Sequence, residues 1–112
     1  MNLRHHLEAG DVLIVELRED NLDVSNVAAF KEAIQALIAQ HTKVVLDMEG
    51  VKFIDSSGLG ALISCLRQLN ARQGNMRLCH MSPSVVALFE LMRMNRVFAI
   101  HPTQAEAVAS YG

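Results

Sequence analysis

The sequence predicts an α/β domain on a mixed, largely parallel central sheet, and three observations carry the prediction. The short continuous apolar runs Val44-Val45-Leu46 and Val97-Phe98-Ala99-Ile100 have the look of strands buried on both faces. Between such runs stand segments whose apolar residues recur at helical spacing. After an N-terminal hairpin the order reads helix, strand, helix, strand, helix, strand, helix, an alternation that implies parallel strands joined by crossovers. With 112 residues there is room for a single domain spanning 1–112, and 51% hydrophobic against 20% charged residues supplies ample core material and argues against disorder.

The hairpin comes first. Leu3, His5 and Leu7 alternate with polar residues, Val12 to Leu17 is β-rich, and Ala9-Gly10-Asp11 supplies the turn between them. From Ser25 to about Gln40, the residues Val27, Phe30, Ile34, Leu37 and Ile38 line one face of a helix, with Asp23 or Ser25 available as its cap. The strand at Val44 to Leu46 follows, and then Val51-Lys52-Phe53-Ile54 leads into Asp55-Ser56-Ser57-Gly58. Leu59, Leu62, Ile63, Leu66 and Leu69 place an apolar stripe on a second helix that ends near Gly74. Met76 to Cys79 reads as a strand, and Ser82-Pro83 opens a helix whose buried side is Val85, Val86, Phe89 and Met92. Val97 to Ile100 is the final strand, and Thr103-Gln104-Ala105-Glu106 is a capping box opening a short last helix.

Composition narrows the function. A net charge of −2 offers no electrostatic footprint for nucleic acid or an anionic membrane. The longest stretch without Asp, Glu, Lys or Arg runs from Leu78 to Phe89, well short of the roughly 20 residues that cross a bilayer. Glu8 and Asp11 interrupt the apolar region that a secretory signal needs, so a cytoplasmic location is expected. Cys65 and Cys79 form no C-x-x-C pair and read as reduced packing residues. His5 and His6, adjacent on a strand, point to opposite faces, while His41, His80 and His101 show no ligand spacing, so neither a metal nor another cofactor is expected. Met92 and Met94 with Val97 and Phe98 read as packing or as an adaptable contact surface. Arg93 and Arg96 read as solvated charges able to meet an acidic partner.

In such a sheet function gathers in the loops at the carboxyl ends of the parallel strands. One of these, Asp55-Ser56-Ser57-Gly58-Leu59-Gly60, opens the strongest helix with two glycines, each costing up to about 1 kcal/mol relative to alanine. Close approach is the expected reason: Gly58 would admit another molecule to the adjacent serine, and Gly60 would let the helix lie against the sheet. Ser56 or Ser57 either caps the helix or is a phosphoacceptor, since the backbone N–H groups and dipole of a helix start favour a phosphate. Asp55, and Asp23 from the neighbouring loop, oppose it by like-charge repulsion, so the effect of modification would fall on a partner seated there. A serine hydrolase lacks its G-x-S-x-G motif here. A nucleotide site lacks both the P-loop lysine and G-x-G-x-x-G.

The stretch from Val44 to Leu62, VVLDMEGVKFIDSSGLGAL, closely resembles the signature of STAS domains, specifically of the single-domain bacterial anti-sigma factor antagonists. The element order agrees over essentially the whole chain. The resemblance implies that Ser57, the second serine, is phosphorylated by a partner that is both anti-sigma factor and serine kinase. It also implies that a serine phosphatase reverses this, that Asp23, Asp55, Ser56, Gly58, Leu59 and Gly60 form the surroundings, and that the domain is not an enzyme. The acidic residue before the first helix corresponds to Leu22-Asp23; family members often carry a glycine ahead of that pair, whereas this chain reads Leu17-Arg18-Glu19-Asp20-Asn21. The alternative within the family is an unphosphorylated STAS subunit of a signalling scaffold or membrane-transport complex.

Overall fold

A computed structural model describes residues 1–112. The hairpin is strands β1 (Arg4–Glu8) and β2 (Val12–Glu16), antiparallel with Arg4 opposite Glu16. Its turn places Ala9 and Gly10 at φ of 51° and 87°, a left-handed pair that a glycine makes cheap. The central sheet runs β1-β2-β4-β6-β7, with β4 (Lys43–Asp47), β6 (Asn75–Cys79) and β7 (Ile100–His101) all parallel to β2.

Strand alternation sorts the core into two layers. Leu13, Val15, Val44, Leu46, Met76 and Leu78 face the larger one, against Phe30, Ile34 and Ile38 of α1 (Val27–Ile38), Leu59, Leu62, Leu66 and Leu69 of α2 (Ser56–Asn70), and Val85 and Phe89 of α3 (Pro83–Leu91). Val12, Ile14, Val45 and Cys79 face the other side and are covered by Ala107 of the short α4 (Gln104–Ala109). Both faces of the middle strands are therefore roofed, which is why Val12 to Val15 and Val44 to Leu46 are continuous apolar runs instead of alternating ones.

Four local expectations need correction. Helix α1 takes no side-chain cap from Asp23 or Ser25: Asn26 precedes it, the Asp23 carbonyl accepts from the Val27 N–H, and the Asp23 carboxylate accepts from the N–H and hydroxyl of Ser25. Asn21–Leu22, which the sequence pattern assigns to no element, is strand β3, which pairs in parallel with β5 (Phe53–Ile54) in a separate two-stranded ladder. Two residues are too few to show a period, so only the contact reveals them. The run at Val97 to Ile100 is mostly not strand. A 3₁₀ turn at Met94–Arg96 swings Val97 out to 46% exposure, and the ladder begins only at Ile100. Helix α3 ends at Leu91, so Met92 lies beyond its buried face and is 44% exposed.

Candidate functional site

Asp55 organises the corner where β5 hands over to α2. Its extended backbone (φ −100°, ψ −176°) turns the carboxylate back over the first helical turn, where Oδ1 accepts from the Gly58 N–H at 2.9 Å and from the Ser57 hydroxyl at 2.6 Å. Oδ2 accepts from the Val24 N–H at 3.0 Å, tying the loop before α1 to the same carboxylate. The cap of α2 is thus Asp55, and neither serine fills that role. The hydrogen bonds from the Ser57 hydroxyl and the Gly58 N–H, helped by that from the Val24 N–H, outweigh desolvation and hold the Asp55 carboxyl below its ordinary range.

The two glycines exchange the roles expected of them. A Cβ on Gly58 would sit 2.9 Å from the Leu22 carbonyl carbon and closer still to its oxygen, so this glycine lets α2 press against β3. Gly60 is exposed and a Cβ there would meet nothing, so it leaves open the surface one turn from Ser57.

The candidate residues divide into a surface and its foundation. Ser57 is half-buried with its hydroxyl proton directed at Asp55, Ser56 and Gly60 are exposed, and Gly58 and Leu59 are buried beneath them. Asp23 belongs to the neighbouring loop, its carboxylate engaged by Ser25 and its main-chain N–H donated to the Asn26 side chain. Two residues escaped the sequence reading: Val24 and Phe53, 78% and 55% exposed, flank the corner on either side. Phe53 sits where strand patterning would have buried it, and nothing in its sequence neighbourhood marks it as outward. The ion pairs lie elsewhere, with Arg4 and Arg18 on Glu16, Lys43 on Asp11, and Arg18 and His80 on Asp47, so neither Asp55 nor Asp23 has a cationic partner.

None of the four surface cavities is lined by residues 19–26 or 53–60. The Ser57 hydroxyl bonds to a carboxylate and not to an imidazole, which is not the arrangement that activates a hydrolytic serine.

A second polar cluster sits at the same edge of the sheet, under α4. Asp47 is fully buried. Its carboxylate accepts from Gln104 Nε2 at 2.6 Å, the Glu49 N–H at 2.9 Å and Arg18 at 3.3 Å, and His80 Nδ1 lies 2.9 Å away. Burial pushes its carboxyl up, but the hydrogen bonds from Gln104, Glu49 and His80, with the His80 charge, outweigh it and hold the group below its ordinary value. Donor atoms of Asp47, Cys79 and His80 lie within 4.8 Å of one another. The Asp47 lone pairs are already taken by Gln104, Glu49, Arg18 and His80, and burial pushes the Cys79 thiol up to about 12.

Residues 6–107 match the STAS domain family, and the chain belongs to it. Within that family it is 30% identical to the anti-sigma F factor antagonist of Paenibacillus polymyxa, over 96% of this chain and 94% of that one. Its fold superposes on an anti-sigma-factor antagonist (STAS) domain protein from Planctomyces limnophilus with a TM-score of 0.87, at 25% identity and 96% coverage of both chains. It also superposes on the Bacillus cell fate determinant SpoIIAA in its phosphorylated form with a TM-score of 0.71, at 23% identity, covering 99% of this chain and 100% of that one. No helix is long and apolar enough to cross a membrane.

Proposed function

We propose that this chain is an anti-sigma factor antagonist that works as a non-catalytic partner switch. In the unmodified state the corner around Ser57 docks on an anti-sigma factor that is also a serine kinase. Phosphorylation of Ser57 ends the docking, and a serine phosphatase restores it. The observation that carries this reading is the Ser57 hydroxyl itself, half-buried at the start of α2, bonded to Asp55 and flanked by the exposed Val24 and Phe53.

The physics is local. Phosphate adds a charge of about −1.5 to −2 and removes the proton that Ser57 donates to Asp55, leaving a near-dianion beside a carboxylate that no cation pairs with. A partner covering Val24 and Phe53 must then strip water from both charges, and only about 1.4 kcal/mol separates the two states by tenfold in affinity. No movement of the fold is needed.

The test is to incubate the purified chain with its candidate kinase and ATP, map the modified residue by mass spectrometry, and measure kinase binding of Ser57→Ala and Ser57→Asp. Modification at Ser57 is expected, with Ser57→Ala binding as wild type and resisting modification, and Ser57→Asp binding more weakly. Equal affinities for Ser57→Ala, Ser57→Asp and the phosphorylated chain would reject the switch.

A further inference from the structure

The Ser57 corner has a counterpart at the opposite edge of the sheet. Because α3 runs back from the carboxyl ends of the strands, the segment after it returns to the edge where β6 begins, and there Leu91 is 82% exposed beside Met92 and Val97. Arg93 and Arg96 are exposed in the same segment and form no ion pair, with Glu90 the one acidic neighbour. At the Ser57 edge the exposed Val24 and Phe53 are accompanied by the carboxylates of Glu19, Asp20, Asp23 and Asp55, with Lys52 and Arg18 the basic neighbours, Arg18 already paired with Glu16 and Asp47. Each segment combines exposed apolar side chains with exposed charges, mainly guanidinium groups in one and carboxylates in the other.

We infer that these two surfaces fit each other, and that a second copy of this chain is the occupant of the basic corner. Leu91, Met92 and Val97 of one copy cover Val24 and Phe53 of the next, while Arg93 and Arg96 pair with Asp20 and its acidic neighbours. Both halves of the complementarity are present on one molecule, at opposite ends. The contact is therefore head-to-tail and does not close at the dimer, so association continues to a ring or an open chain. With so few apolar residues on each side it is a weak contact that forms at high concentration and loosens with salt. The inference stands on the two surfaces alone and does not depend on phosphorylation of Ser57.

Sedimentation equilibrium on the purified chain from about 10 μM to about 1 mM tests it, at low and at high salt. The expected result is an average mass that rises with concentration beyond twice the 12.4 kDa chain and falls back in salt. Two double variants sharpen the test, both altering exposed side chains and both checked for folding by circular dichroism. Leu91→Ser with Arg96→Glu breaks only the basic corner, and Asp20→Lys with Phe53→Ser breaks only the acidic one. Each alone should stay monomeric, while an equimolar mixture retains one intact pair of surfaces and should stop at a heterodimer. A wild-type chain that remains monomeric across the range would overturn the inference and leave the basic corner to a foreign acidic partner. Association that saturates at a dimer, persists in either variant, or is not recovered in the mixture would also overturn it.

Discussion

Asp47 and Asp55 stand at the same edge of the sheet, each collecting hydrogen bonds from distant parts of the chain, and the protein uses them in opposite ways. Asp47 is closed off: β2's extension through Arg18, β6's through His80, and α4 through Gln104 all end on one buried carboxylate. Asp55 gathers Val24, Ser57 and Gly58 but leaves the serine at a surface. The same chemistry serves as a fastener where every donor is internal and as the base of a docking surface where one donor can be taken away.

The sharpest break of this comparison is Asp47→Ala. Removing the shared acceptor leaves Gln104 Nε2 and the Arg18 guanidinium with Glu16 as their remaining close partner and takes the close partner from His80 Nδ1, and the cost should be about 3 kcal/mol, the low end for a buried ion pair because Arg18 is partly exposed and keeps Glu16. Urea unfolding would read it. Ser57→Ala, in contrast, should change stability by no more than about 1 kcal/mol, since the lost hydrogen bond is within reach of water. A similar loss in both variants would abolish the distinction between fastener and docking surface.

Gly58→Ala comes next. The added methyl cannot avoid the Leu22 carbonyl, so α2 must shift off β3 at a cost of about 1–3 kcal/mol, the usual penalty of overpacking. Because Val24 donates to Asp55 from that same side, the loop before α1 should loosen with it, readable as faster amide exchange at Val24.

Acid offers a milder test. The Asp47 carboxyl is held below its ordinary value of 3.8, so its contribution is complete above that value and is lost as the pH falls through the lower folded one. Wild-type stability should therefore drop below about pH 4. Asp47→Asn, with nothing to protonate there, should show a shallower decline. Parallel acid profiles would mean that the buried network is not what acid dismantles.

Much of this was legible in the sequence because the period of the side chains reports burial directly. The run Val44-Val45-Leu46 and the stripe Leu59, Leu62, Leu66, Leu69 declare a doubly covered strand and a one-faced helix, and the family resemblance pointed to Ser57 in the loop between them. What stayed hidden was set by contacts between segments distant in the chain. The ladder of β3 with β5 is two residues long, the Asp47–Gln104 bond alone spans 57 positions, and Phe53 and Val97 are exposed where the first is in a two-residue strand and the second precedes one. Gly58 and Gly60 show the same limit. Composition said that two glycines were being spent at a helix start, but only the Leu22 carbonyl says which one is needed by the fold.

That pair gives the smallest expected effect and the cleanest one. Gly60→Ala is the same substitution as Gly58→Ala two residues along one helix, yet its methyl enters open space, at an ordinary helical position with no positive φ. Relief of glycine's backbone entropy should stabilise the domain by about 0.5–1 kcal/mol, opposite in sign to Gly58→Ala. If the outward face of this turn also lies under a partner, as the docking reading requires, Gly60→Ala should weaken kinase binding while raising the unfolding midpoint. A variant that is more stable and binds unchanged would confine the docking surface to Ser57 and the side of Val24 and Phe53.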